Sequence, residues 1–103
     1  SRFGVTIEIR YPENEVETNI LVNRIGIKQE IAEKMVDFAT RIRTMYDQGE
    51  ISLPISPREL IRAATIGTIR GGLFKKGIEL AYANRLGGTE REAVMNTAQR
   101  LFG

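Results

Sequence analysis

The sequence contains no cysteine, no histidine and no tryptophan. Without cysteine there are no disulfides and no thiolate metal sites, which is the composition expected of a cytoplasmic protein. Without histidine the chain lacks the usual general base near neutral pH and the commonest metal ligand. No run of about 18 apolar residues occurs, so no membrane-spanning helix is expected. No basic segment followed by an apolar core marks a signal peptide. Neither sign of charge dominates. The net charge is only +2, and the pI of 9.2 reflects few groups titrating between carboxylates and lysines rather than a dense basic surface. There is no low-complexity tract and no internal repeat.

The 103 residues are 42% hydrophobic and 27% charged, enough for one modest globular domain. Val5, Ile7, Ile9 and Tyr11 alternate with Thr6, Glu8 and Arg10, a half-buried strand pattern that Pro12 ends. No second strand of comparable quality follows. One strand cannot satisfy its own backbone groups, so this one is expected to complete a sheet that lies outside the sequence. Ser1 in place of methionine is in keeping with a piece of a longer protein.

The remainder reads as about five helices in a compact bundle. Glu13 to Arg24 is the first, with Val16, Ile20 and Leu21 facing inward and Gly26 ending it. Lys28 to Gln48 carries an apolar stripe of Ile31, Met35, Phe38, Ile42 and Met45, and Gly49 closes it. The third helix runs from the Ser56 cap to Arg70, packing through Leu60, Ile61, Ala64 and Ile69. Gly71-Gly72 breaks it. The fourth spans Phe74 to Leu86, with Ile78, Ala81, Tyr82 and Leu86 inward. After Gly87-Gly88, Thr89 is expected to cap the fifth with Glu92 as its capping-box partner, burying Val94, Ala98, Leu101 and Phe102.

The candidate site is Ser56-Pro57-Arg58-Glu59-Leu60. Ser56 is a good N-cap, Pro57 suits the first helical position, and Glu59 completes a capping box. Arg58 is the exception, because a cation near a helix N-terminus is disfavoured by roughly 0.3–1 kcal/mol. A rigidly mounted guanidinium there is suited to an anion such as phosphate; a solvated arginine on a capped helix satisfies the same local pattern. Other motifs carry less. Gly71-Gly72 with Lys75-Lys76 fails the phosphate-loop pattern and reads as a helix breaker. Glu33 and Asp37, interleaved with Lys34 and Arg41, read as surface ion pairing rather than as a catalytic pair. Basic residues are scattered among acidic ones, so nucleic-acid binding has little support. The link from Gly49 to Ile55 is too long for a helix-turn-helix.

In their order along the chain, these pieces resemble the C-terminal part of an AAA+ ATPase of the MoxR-related branch, which includes the CbbQ, NorQ, GvpN and CobS proteins. Arg2-Phe3 resembles the Arg-Phe closing the nucleotide-binding core, and Val5 to Tyr11 with Pro12 resembles the last core strand and the entry to the lid. Glu33-Lys34-Met35-Val36-Asp37-Phe38-Ala39 resembles the long lid helix. Ile55 to Leu60 resembles the sensor-two segment, and Asn84-Arg85-Leu86 and Gln99-Arg100-Leu101-Phe102-Gly103 resemble the closing helices. The resemblance implies that residues 1–11 end a core domain and residues 12–103 form its helical lid.

It further implies that the parent protein hydrolyses ATP with Mg2+, while this segment alone binds neither, because the Walker lysine and acids belong to the core. Arg58, presented by Pro57, would be the sensor-two arginine in cis, and Arg2 an arginine finger in trans. The implied partners are the upstream core, neighbouring subunits of a hexameric ring, and a protein with a von Willebrand factor A domain. The implied activity is chaperone-like remodelling or metal insertion, with a hinge near Tyr11-Pro12-Glu13. The residues by themselves also accommodate a non-enzymatic helical binding module, or a self-associating protein whose strand pairs across a twofold axis.

Overall fold

Glycine and proline set the helix ends. In the computed structural model, which describes residues 9–103, five α-helices follow one another: α1 Asn14–Ile20, α2 Gln29–Asp47, α3 Pro57–Ile69, α4 Phe74–Ala81 and α5 Gly88–Phe102. The fold is mainly α, as the apolar spacing predicts. Ile9 to Tyr11 are irregular, and the expected strand otherwise lies outside the described residues, as does Arg2.

α1 leads directly into a π-helical turn, Leu21–Ile25, which Gly26 stops at φ 81°. Two Schellman turns follow. At the end of α2, Gly49 N–H donates to Tyr46 O (3.0 Å) and Glu50 N–H to Met45 O (2.9 Å). At the end of α3, Gly71 N–H donates to Thr68 O (3.1 Å) and Gly72 N–H to Gly67 O (2.8 Å). The glycine pair also needs left-handed backbone, at φ 73° and 100°, which side-chain-bearing residues rarely adopt.

The core lies among α2, α3, α4, α5 and the π-helical turn that follows α1. Leu21, Met35, Phe38, Ile42, Ile55, Leu60, Ile78, Tyr82 and Val94 are fully buried. α3 and α4 approach at backbone contact: a Cβ on Gly77 would overlap the carbonyl of Ala63, and one on Gly67 would overlap the ring of Phe74. Small residues at 63, 64, 67 and 77 make that approach possible.

Four expectations need correction. Val16 is 48% exposed, because α1 turns Glu17 and Thr18 inward instead. Ile69 is 79% exposed; it ends α3, and the chain turns away at Gly71-Gly72. The fourth helix stops at Ala81. Tyr82 leaves helical geometry (φ −143°, ψ −57°) as its hydroxyl donates to the Leu53 carbonyl, and Ala83–Arg85 form a 3₁₀ turn. The last helix starts at Gly88 with Gly87 as its cap, not at Thr89. Glu90 thereby stands at the third helical position, still in the first turn, and accepts hydrogen bonds from Ser52 N–H (3.0 Å) and Ser52 Oγ–H (2.8 Å). An acidic side chain in that position also suits the helix dipole.

Candidate functional site

Arg58 sits in the first turn of α3, exposed, and makes no ion pair or side-chain hydrogen bond among the described residues. Its mount is fixed on both sides. The capping box is complete: Glu59 N–H donates to Ser56 Oγ (3.1 Å) and Ser56 N–H donates to Glu59 Oε1 (2.9 Å). Pro57 occupies the first helical position, where its missing N–H is no loss. The second carboxylate oxygen of Glu59 takes an ion pair from Arg85, in the 3₁₀ turn after α4. The capping glutamate is therefore held both by its own helix and by a neighbouring element.

Support from the other side comes from Arg43 in α2, which is 6% exposed. Its Nε–H donates to the carbonyl of Ile55 (3.0 Å), the residue before the Ser56 cap. Its Nη1–H and Nη2–H donate to Glu17 Oε1 and Oε2 at 2.8 and 2.9 Å, a bidentate pair with α1. Its Cζ lies 4.0 Å from the ring centroid of Tyr11. One buried guanidinium thus joins the chain entering the bundle, α1, and the segment that presents Arg58. Burial raises the Tyr11 phenol above its ordinary pKa, with the Arg43 charge pulling the other way.

Arg62, one turn beyond Arg58, is also exposed and without an ion pair or side-chain hydrogen bond among the described residues. Positions i and i+4 share one helix face, so two like charges stand there, neither paired with a carboxylate, at a cost of roughly 0.2–0.5 kcal/mol. An anion bound at this end of α3 would remove that cost. The only acid in the first turn of α3, Glu59, is already engaged by Ser56 and Arg85.

Sequence reasoning found Ser56, Pro57, Arg58 and Glu59, and the structure brings these together. Arg2 lies outside the described residues. The reasoning missed Glu17, Arg43, Arg62 and Arg85. For Glu17 the available signal was its position on the expected inner face of the first helix, between Val16 and Leu21. The Glu33/Asp37 reading holds in part: Arg41 Nε lies 3.0 Å from Asp37 Oδ1 on an exposed face, whereas Glu33 accepts from Gln29. No group of three or more acidic residues is placed to hold a metal among the described residues. Among the described residues no helix is long and apolar enough to cross a membrane.

The CbbQ/NirQ/NorQ C-terminal family matches residues 17–87, from Glu17 in α1 to the glycine that caps α5. That span contains the whole Arg43 brace except Tyr11, and the whole Arg58 mount. Its class is the helical lid of AAA+ ATPases. The chain belongs to the CbbQ/NirQ/NorQ C-terminal family, whose membership implies association with an upstream AAA+ core domain. No curated protein matches the chain.

Proposed function

We propose that this domain closes over a nucleotide held by the AAA+ core of the same subunit and senses its phosphates through Arg58. The observation that supports this most is the unpaired Arg58 guanidinium carried on a braced helix start. A cation mounted on a fixed backbone where the helix dipole disfavours it gains from meeting an anion. ATP with Mg2+, when bound to the core, supplies the phosphoanhydride that is cleaved. Arg58 fits one anionic oxygen contact to that group and Arg62 adds positive potential behind it. On this reading the Mg2+ is held by the core rather than by the lid.

Arg43 gives the lid a way to respond as one body. Tyr11 lies at the entry to the lid, beside Pro12, and packs on the same guanidinium that anchors Ile55. Rotation at Tyr11-Pro12-Glu13 would therefore carry Arg58 with it. Arg2 would act in trans on the neighbouring subunit's nucleotide, in a hexameric ring that remodels a target with a von Willebrand factor A domain partner.

The test is Arg58→Ala in the parent ATPase. The expected result is a loss of about 10²-fold in kcat, the scale of removing one preorganised donor to a developing charge. Arg58→Lys should recover only part, since a point charge does not reproduce the planar fork. Unchanged turnover in Arg58→Ala would remove the sensing role.

A further inference from the structure

A second surface lies at the far end of α3, about 18 Å from Arg58 by helix rise. It is an open groove of about 980 Å³ between the start of α2, the α3–α4 turn and the end of α5. Its apolar wall includes Ile31, Leu73, Phe74 and Phe102. Leu73 is 58% exposed, and Phe74 and Phe102 form a tilted ring pair with centroids 6.2 Å apart.

The side-chain charges at this groove are all of one sign. Lys28, Lys34, Arg70, Lys75 and Lys76 line it, with no aspartate or glutamate among the lining residues. Lys76 is engaged by Glu79 (2.9 Å), and Lys75 reaches Gln99 and the Gly103 carbonyl (both 2.7 Å). Lys28, Lys34 and Arg70 make no ion pair or side-chain hydrogen bond among the described residues. Two helices, α2 and α4, also start at its edge, and neither has a side-chain cap. Their N-terminal dipoles add to the positive potential.

We propose that this groove docks an acidic amphipathic segment of another protein, seating its apolar side chains on Leu73, Phe74 and Phe102 and its carboxylates against Lys28, Lys34 and Arg70. Apolar wall and one-signed rim complement such a segment on both counts. Nucleic acid suits the rim but leaves the exposed leucine and phenylalanine edges without partners. A second copy of this chain is a poorer match, because its own groove carries the same positive rim. The proposal does not depend on the nucleotide reading, since it uses none of the residues around Arg58.

The probe is a synthetic helix of about 15 residues with leucines at i, i+3, i+4 and i+7 and glutamates elsewhere. Binding to the 103-residue chain is followed by peptide anisotropy and by amide chemical shifts. The expected result is saturable binding with shifts confined to the start of α2, the α3–α4 turn and the end of α5. Lys28→Glu with Lys34→Glu and Arg70→Glu should weaken it by about tenfold or more at low salt. Leu73→Ser alone should weaken it several-fold without lowering the thermal melt, because Leu73 is mostly solvated and serine suits the N-cap position of α4. Equal binding of a lysine-for-glutamate peptide, shifts centred elsewhere, or tighter binding of an oligonucleotide of matched charge would overturn the proposal. Self-association of the chain that Leu73→Ser abolishes would likewise overturn it, by giving the groove to a second copy.

Discussion

Arg43 and Glu17 lie 26 positions apart in the chain and meet through two parallel N–H···O bonds inside the protein, at 2.8 and 2.9 Å. With side chains only 7% and 2% exposed, both charges have given up most of their water. A buried pair of this kind gains little over an apolar pair of equal volume, but losing one partner leaves the other charge stranded, at about 3–5 kcal/mol. Arg43→Met and Glu17→Met are each expected to destabilise the domain on that scale. The double variant should recover most of the loss, leaving the unpaired Ile55 carbonyl as the residue. Denaturant unfolding of the three variants as a double-mutant cycle measures this. Additive single losses would mean that the pair is not coupled.

The same contact marks where sequence reasoning stopped. Helix existence and most boundaries were legible because each depends on neighbours in sequence: the stripe Met35, Phe38, Ile42, the Ser56 box, the glycines at 26, 49 and 71–72. The site's mount was legible to the same extent, Ser56 to Glu59 and no further. Glu17 pairing with Arg43 and Glu59 with Arg85 are choices among many carboxylates and many cations, made by helix packing that no local pattern encodes. Thr89 illustrates the reverse failure. Its spacing to Glu92 makes a valid capping box, yet Ser52, 38 positions from Glu90, supplies two hydrogen bonds that favour an earlier start at Gly88.

Ser56→Ala is expected to cost about 1 kcal/mol of stability, through the orphaned Glu59 N–H at the start of α3. Arg85→Ala should cost less, because the guanidinium is 54% exposed and the ion pair is screened. Both variants should nevertheless loosen the first turn of α3. The measurement is amide hydrogen exchange at Arg58, Glu59 and Leu60 in each variant. Exchange unchanged in Arg85→Ala would mean that the capping box alone holds the mount.

Tyr82 is buried and donates its hydroxyl to the Leu53 carbonyl, and burial raises its pKa well above the ordinary 10.0. The folded state therefore favours the neutral phenol. Its contribution to stability is whole below the unfolded pKa near 10 and is lost as pH rises through the folded value. Stability should fall on titrating above pH 10, and Tyr82 should ionise only on unfolding. Absorbance of phenolate against pH, compared with far-ultraviolet circular dichroism, tests this. Tyr82→Phe should flatten the alkaline loss while removing one hydrogen bond to Leu53. Ionisation of Tyr82 in the folded protein at pH 10 would contradict it.

Glu79 provides the acid counterpart. The Lys76 ammonium, donating a hydrogen bond, is the main cause holding its carboxyl below the usual value, with Arg91 adding to it. A depressed carboxyl stabilises the fold above the unfolded pKa of about 4.5, and that stability is lost as pH falls through the folded value. The effect should be small, because Lys76 and Arg91 are 47% and 39% exposed and salt screens them. Glu79→Gln should therefore reduce the stability difference between pH 7 and pH 3 only slightly, and 1 M salt should remove what remains. A large residual difference in high salt would place the acid sensitivity on another carboxylate.

Gly77 tests the packing that sets α3 in place. It lies in α4, a helix where alanine is intrinsically preferred over glycine by about 1 kcal/mol. Propensity alone therefore makes Gly77→Ala stabilising. Packing reverses that sign, because the added methyl would run into the carbonyl of Ala63 and stand 3.0 Å from the backbone nitrogen of Gly67. Neither group is the free end of a flexible side chain, so the two helices must separate. Overpacking of this kind costs about 1–3 kcal/mol, which outweighs the propensity gain. Thermal unfolding of Gly77→Ala should give a lower Tm than the parent chain. Gly88→Ala is the control: it stands at the first position of α5 with open space around its Cα and should leave Tm nearly unchanged. A Gly77→Ala variant with a raised Tm would mean that α3 and α4 can move apart freely, and that their contact does not fix the position of the Arg58 mount.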